Sequence, residues 1–377
     1  EIGVRLVGSE MCIRDSYWGN GKLWDRDFSN ATKIEMPHWG NNFALEAQLA
    51  VYAGGAISSG IELAELEKQL AEMDWQKNRQ DIRFLLVGHY LNLYKLNNQI
   101  EVLHKNLELT DQIIANMQAR LEQGTALQND ITRYELQRET LRLQLAKVED
   151  ACKIANHQLV TTLHLPEGTV VQPDTTLNDS QIQTLSEASW QELAAQNNLN
   201  LQQAETGIKI NRQREKLERS ERLPKISLMA AEHLDGPITI EVPVLDNNFN
   251  YWFVGVGVKY NISSLFKNNR KLKAARLNVR KAQETYELAQ EQTNHAVQES
   301  YVNFLTSFTD LRTQQKSVEL ADENYSVTSN RYQNDLALLT DMLDASNMKL
   351  SADMGLVNAR INVIFNYYKM KYITHTL

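Results

Sequence analysis

Proline and glycine are scarce, six and sixteen in 377 residues, too few to punctuate several ordinary domains of short elements. The elements must therefore be long. Long apolar runs are missing as well: no stretch approaches the ~18 residues of a membrane-spanning helix, and mean hydropathy is -0.44. That leaves open a transmembrane β-barrel, whose strands alternate and give only a weak signal. Positive charge is outweighed, with 39 Lys and Arg against 47 Asp and Glu, and the basic residues read as scattered through helical segments. A net charge of -8 then argues against a nucleic-acid backbone as partner.

Cysteine is nearly absent. Cys12 and Cys152 suggest no disulfide framework, and Cys152 falls on an apolar seam, as a small core residue rather than a reactive thiol. The eight histidines, His89, His104, His157 and His164 among them, show no metal-ligand spacing with cysteine or acidic partners. A nucleophile elbow, a P-loop and a Gly-rich dinucleotide turn are all lacking. The sequence therefore predicts no enzyme, no metal site and no cofactor.

What is present is a repeat. Tyr90, Asn92, Leu109, Asp111, Arg120, Ala126, Leu127 and Asp130 recur at a constant offset of 211 as Tyr301, Asn303, Leu320, Asp322, Arg331, Ala337, Leu338 and Asp341. An ungapped offset over that span points to two copies of one long unit.

Each copy joins strand to helical hairpin. Residues 17–42 mix aromatics with Gly and Asn without a period and read as a long loop. From Phe43 to Tyr52 the pattern alternates, with Phe43, Leu45, Ala47, Leu49 and Val51 on one face, before Gly54-Gly55 breaks it. From Ala56 to Leu121 apolar residues keep steps of three and four (Leu63, Leu66, Leu70, Met73, then Leu93 through Leu121), which predicts one helix packed as in a coiled coil. A tip near 122–129 turns it into a returning helix through Ile131, Tyr134, Leu141, Cys152 and Leu159. An irregular stretch near 164–185 leads to a charged helix, Trp190 to Arg222. Strands follow at 226–234 and 251–262, then a second long helix over 264–332, a tip at 333–339 and a return arm to about Lys371.

This order, twice over, resembles the TolC family of outer-membrane efflux and secretion channels. The family's hairpin tip has an Arg, an aromatic or aliphatic residue, a Gly four after the Arg, and an Asp ten after it followed by an aliphatic. Arg120, Leu121, Gly124, Asp130 and Ile131 match; Arg331, Tyr332, Asp341 and Met342 match the second copy, with Asp335 at the Gly position. The resemblance covers residues 17–377, and the Tyr251–Lys271 stretch is most similar to Bacteroidetes members.

It implies a mainly α fold with a short β part: a trimeric barrel and a long coiled-coil α-barrel in the outer membrane and periplasm. Residues 17–163 would be repeat 1, 164–222 equatorial linker helices and 223–377 repeat 2. Partners would be two further copies, outer-membrane lipid, a periplasmic adaptor protein and an inner-membrane pump. Only three of the four strands per protomer are recognisable, and the fourth should precede Tyr17. Residues 1–16 fit nothing that follows, and Ser9–Ser16 resembles a translated sequencing-adapter read. They are expected to be a non-native tail making few contacts, with the true N-terminus and any leader missing.

The resemblance also assigns site residues. Asp341 and Asp344 would ring the pore entrance, with Tyr332 in the closed gate; the alternative is that both acids are solvated helix-start residues. The family's gate Arg is Ala337 here, so the latch must differ. The tip residues Arg120, Gly124, Thr125, Ala126, Asp130, Arg331, Leu336 and Ala337 would meet the adaptor, although a tight helix–helix turn alone also favours Gly124. Tyr17, Trp18, Trp39, Phe43, Phe249, Tyr251, Trp252 and Phe253 would form an interfacial girdle. The implied function is a passive exit duct for small molecules or proteins; the alternative is a soluble periplasmic coiled-coil scaffold.

Overall fold

The computed structural model describes residues 4–7, 20–35, 41–174, 182, 185–237, 245, 247–334 and 336–377. In chain order these form β1 (Val4–Val7), β2 (Asn20–Trp24), β3 (Ala31–Glu35), β4 (Asn41–Tyr52), α1 (Ala56–Glu122), α2 (Gln128–Thr162), α3 (Glu187–Asn197), α4 (Leu199–Ser220), β5 (Lys225–Gly236), β6 (Phe249–Lys259), the single turn α5 (Ser264–Lys267), α6 (Asn269–Gln333) and α7 (Leu339–Ile373). α1 and α6 run for 67 and 65 residues, and α2 and α7 for 35 each. At 1.5 Å per residue the longer pair each reach on the order of 100 Å.

The chain divides into two compact units, Glu1–Gln69 with Thr206–Glu284, and Leu70–Glu205 with Thr285–Leu377. The division cuts across the linear repeats, because each unit draws on both of them.

In the first unit, β1, β4, β5 and β6 form one antiparallel sheet in that order, with β1 and β6 as its open edges among the described residues. Register sorts the side chains cleanly. The rows Leu49–Leu228–Val256 and Ala47–Ala230–Val254 lie on one face; Gln48–Met229–Gly255 and Ala50–Ser227–Gly257 lie on the other. Apart from polar residues toward one end, where exposed Glu232 pairs with Leu45 and Trp252, the first face is apolar, and it is uncovered: Trp252, Val254, Val256 and Val258 are 66–74% exposed. The second is mixed, and there Gln48 donates to Ser227 Oγ at 3.2 Å. An apolar face of this extent suits lipid rather than water, since each Å² left wet forgoes ~25 cal/mol. Of the expected girdle, Phe43 and Trp252 lie on the first face and Phe249, Tyr251 and Phe253 on the second, all toward the end of the sheet where Asn41 pairs with Gly236. His233 stacks on Tyr251 there, with ring centroids 4.8 Å apart. Tyr17, Trp18 and Trp39 lie outside the described residues.

At the other end of the sheet, Gly54 has φ +65° and packs so tightly that a Cβ would stand 2.8 Å from Leu223 Cβ and 2.9 Å from the Ser220 carbonyl oxygen. Only glycine fits that junction into α1.

Several sequence expectations need correction. Val4–Val7, placed in the supposed tail, forms β1 on the edge of β4, where a strand preceding Tyr17 was expected. Four residues are too few to announce a period. The loop assigned to 17–42 contains a hairpin, β2 paired with β3. Its described side chains from Gly21 on are nearly all exposed, so the apolar alternation that marks a half-buried strand never develops.

The helix expected over Trp190–Arg222 breaks at Asn198, whose side-chain oxygen accepts from the amides of Asn200 (2.9 Å) and Leu201 (3.3 Å), an N-cap for α4. The helix expected from 264 breaks at buried Asn268, whose side chain donates to the Glu218 carbonyl at 3.2 Å. The last strand stops at Lys259, short of Ile262.

The second unit is helical. Trp190 and Ala194 of α3 pack with Val297, Phe304 and Leu311 of α6 and with Ala359, Val363 and Met370 of α7. Leu93 and Leu96 of α1 meet Ala155 and Leu159 of α2, and Leu91 meets Ile361 and Ile364 of α7. These are the steps of three and four read from the sequence. Half-buried Cys152 donates to Asn97 Oδ1 at 3.3 Å, and burial raises its thiol pKa, as suits a structural rather than a reactive cysteine.

Candidate functional site: the paired hairpin tips

The two tips, 211 residues apart, are built alike. In the first, α1 ends in a wide turn closed by the Thr125 amide donating to the Arg120 carbonyl at 2.9 Å; in the second, the Leu336 amide donates to the Arg331 carbonyl at 2.8 Å. Leu127 and Leu338 then occupy the N-caps of α2 and α7 in extended conformation. The amides of Asp130 and Asp341 donate back to those leucines' carbonyls at 3.0 and 3.1 Å. Gly124 supplies the φ of +74° that the first turn requires. Asp335, at the equivalent position, is outside the described residues.

One core joins the tips. Ile114 and Met117 of α1, Ile131 and Tyr134 of α2, and Leu339 and Met342 of α7 are buried together, with Tyr325 and Tyr332 of α6 packed against them. Burial raises the pKa of Tyr134 far above its usual value, so the hydroxyl stays protonated.

Arg120 reaches across this core. Its guanidinium lies 5.5 Å from the centroid of the Tyr332 ring, and Nη1 donates to the Tyr332 carbonyl at 3.4 Å. A cation over a half-buried aromatic face is worth ~1 kcal/mol. The structure thus brings together two residues that the sequence had placed in separate groups, Arg120 among the docking positions and Tyr332 in the gate. Arg331 folds back instead, donating to the Leu336 carbonyl at 3.2 Å.

The two acids differ. Asp341 Oδ2 accepts the Leu338 amide at 3.0 Å, a local helix-start bond that needs no pore. Asp344 is exposed one turn further along α7. Gly124 and Thr125 are exposed, while Ala126, Asp130 and Ala337 are half-buried. Sequence reasoning passed over the most prominent feature of the tips: Leu127, Leu336 and Leu338 are 67–70% exposed, and only Leu336 had been singled out. The signal was available, since Leu127 and Leu338 are a repeat pair.

Among the described residues no group of His, Cys, Asp and Glu is placed to hold a metal ion, and no helix is long and apolar enough to cross a membrane.

Residues 190–365 match the family described as outer membrane efflux protein. No curated protein matches the sequence. Solved structures match nearly the whole chain at low identity. CusC, described as forming a transmembrane channel, aligns at 15% identity and a TM-score of 0.82, over 98% of this chain and 83% of its own. The outer membrane protein VceC of Vibrio cholerae aligns at 15% identity and 0.78, over 97% and 87%. The outer membrane channel CmeC of Campylobacter jejuni aligns at 14% identity and 0.76, over 98% and 78%. Residues 190–365 thus match the outer membrane efflux protein family, and over nearly its whole length the chain has the fold of these outer membrane channels.

Proposed function

We propose that three copies of this chain form the passive outer-membrane duct of a tripartite efflux or secretion system, with no chemistry of their own. The observation that carries the trimer is the open sheet. Among the described residues β1 and β6 leave their outer edges unpaired while the apolar face stands bare, and four strands are too few to close a barrel. Joining β6 of one protomer to β1 of the next closes a twelve-stranded barrel and turns the apolar face to lipid. The long hairpins would line a periplasmic tunnel. The soluble-scaffold alternative has no use for such a sheet and is not supported.

In this reading the tips are both gate and dock. Asp341 and Asp344 would place six carboxylates around the entrance of a trimer and favour cations there. Arg120 on the Tyr332 ring would tie the first tip to the second and supply the latch that Ala337 cannot. The exposed leucines at 127, 336 and 338 suit a periplasmic adaptor with an apolar docking surface, behind which an inner-membrane pump supplies the energy. Planar-bilayer recording of the purified protein tests the duct: discrete, cation-preferring conductance steps are expected, and a protein that inserts without conducting overturns the reading.

A further inference from the structure

The reading of basic residues as scattered fails at one place. Ser264–Gln283 contains seven Lys and Arg and no acid, in a chain of net charge -8. The equivalent stretch of the first repeat, 211 residues earlier, holds four glutamates and one lysine; Glu62 and Glu65 stand where Lys273 and Arg276 do. The architecture alone therefore does not demand the positive charge.

Its place in the fold is specific. The stretch begins five residues after β6 ends, on the strand whose apolar face we assign to lipid. Asn268 and Leu272 are buried, and Arg276 is held by Glu215 at 3.2 Å, which fixes the face of α6 turned to α4. Arg270 and Lys273 on the opposite face of α6 and Lys267 at the end of α5 are all exposed. Beside them Phe266 is 77% exposed and Tyr260 lies just past the strand end, aromatic residues of the kind that anchor at a headgroup layer. The ten residues from Ser264 to Lys273, α5 and the start of α6, rise only ~15 Å at helical pitch, so with side-chain reach all three charges stay near the membrane surface.

We propose that Lys267, Arg270 and Lys273 bind the headgroups of anionic phospholipids in the periplasm-facing leaflet. The occupant follows from charge complementarity and from continuity with the apolar face of β6. This rests on the outer-membrane reading but goes beyond it, since a barrel needs only lipid tails.

The test is native mass spectrometry of the full chain in mixed micelles containing phosphatidylglycerol or phosphatidylcholine. A basic residue at a membrane surface contributes roughly fivefold, so phosphatidylglycerol should be retained at least ~10-fold better. Lys267→Gln with Arg270→Gln and Lys273→Gln should abolish that preference, whereas Arg133→Gln with Lys147→Gln and Arg312→Gln should leave it unchanged. Equal retention by wild type and the first triple variant overturns the proposal. So does displacement of phosphatidylglycerol by equimolar inorganic phosphate, which would mark a phosphate site rather than a lipid site. Should the triple variant not fold, the wild type decides: its preference should collapse between 50 mM and 500 mM salt, and a salt-independent preference refutes the assignment. Normal conductance without lipid preference sinks this inference alone; absence of any membrane insertion sinks the duct reading.

Discussion

Removing the Arg120 guanidinium by Arg120→Gln should loosen the junction between the two tips. The ring contact at 5.5 Å supplies ~1 kcal/mol. The 3.4 Å hydrogen bond to the Tyr332 carbonyl is long and adds little. If the tips of three protomers open together, the loss is ~3 kcal/mol per trimer, a shift of the closed-to-open balance by a factor on the order of 100. Single-channel recording should then show longer and more frequent openings. Tyr332→Leu should do the same, and the double variant should be little worse than either single one, because both remove one interaction. Additive effects of the two substitutions, or openings like those of wild type in both single variants, would refute the latch.

Asp341→Asn with Asp344→Asn should weaken cation preference and block by multivalent cations while costing at most ~1 kcal/mol, since Asp341 caps its own helix; recordings that overlay wild type in selectivity would leave only the capping role. Leu127→Asp with Leu338→Asp should abolish adaptor docking without lowering the melting temperature, because both side chains are largely exposed; unchanged adaptor affinity in a pull-down with the purified adaptor would remove them from the dock. Asp353 on α7 is half-buried, and desolvation raises its pKa above the usual carboxylate value although Lys349 and Lys105 oppose the shift. A raised carboxylate pKa means that the folded state holds the proton more tightly than the unfolded one. Stability from this group is therefore gained as pH falls through the folded value and lost above it. Asp353→Asn should accordingly raise the melting temperature at pH 7 and leave it nearly unchanged well below the carboxylate range, as a pH series of thermal melts would reveal.

The long helices were legible because coiled-coil packing imprints steps of three and four on every turn: Leu93, Leu96 and Leu103 are buried where the spacing puts them. β4 and β6 were legible because their two faces meet different surroundings. β2 and β3 expose nearly everything they present and left no such trace, and β1 was too short to leave one. Asn198 and Asn268 break helices by spending side-chain amides on backbone groups, which neither Pro nor Gly announces. The tip turns could be placed from Gly124 and from the matched aspartates. The Arg120–Tyr332 contact could not, because it joins residues of two different helices through tertiary packing.

As proposed, one chain makes a third of a membrane channel. Expressed with a secretion leader and extracted from membranes in detergent, the protein should have the native mass of three 43.2 kDa chains. A monodisperse monomer that stays in solution without detergent would rule out the trimeric channel.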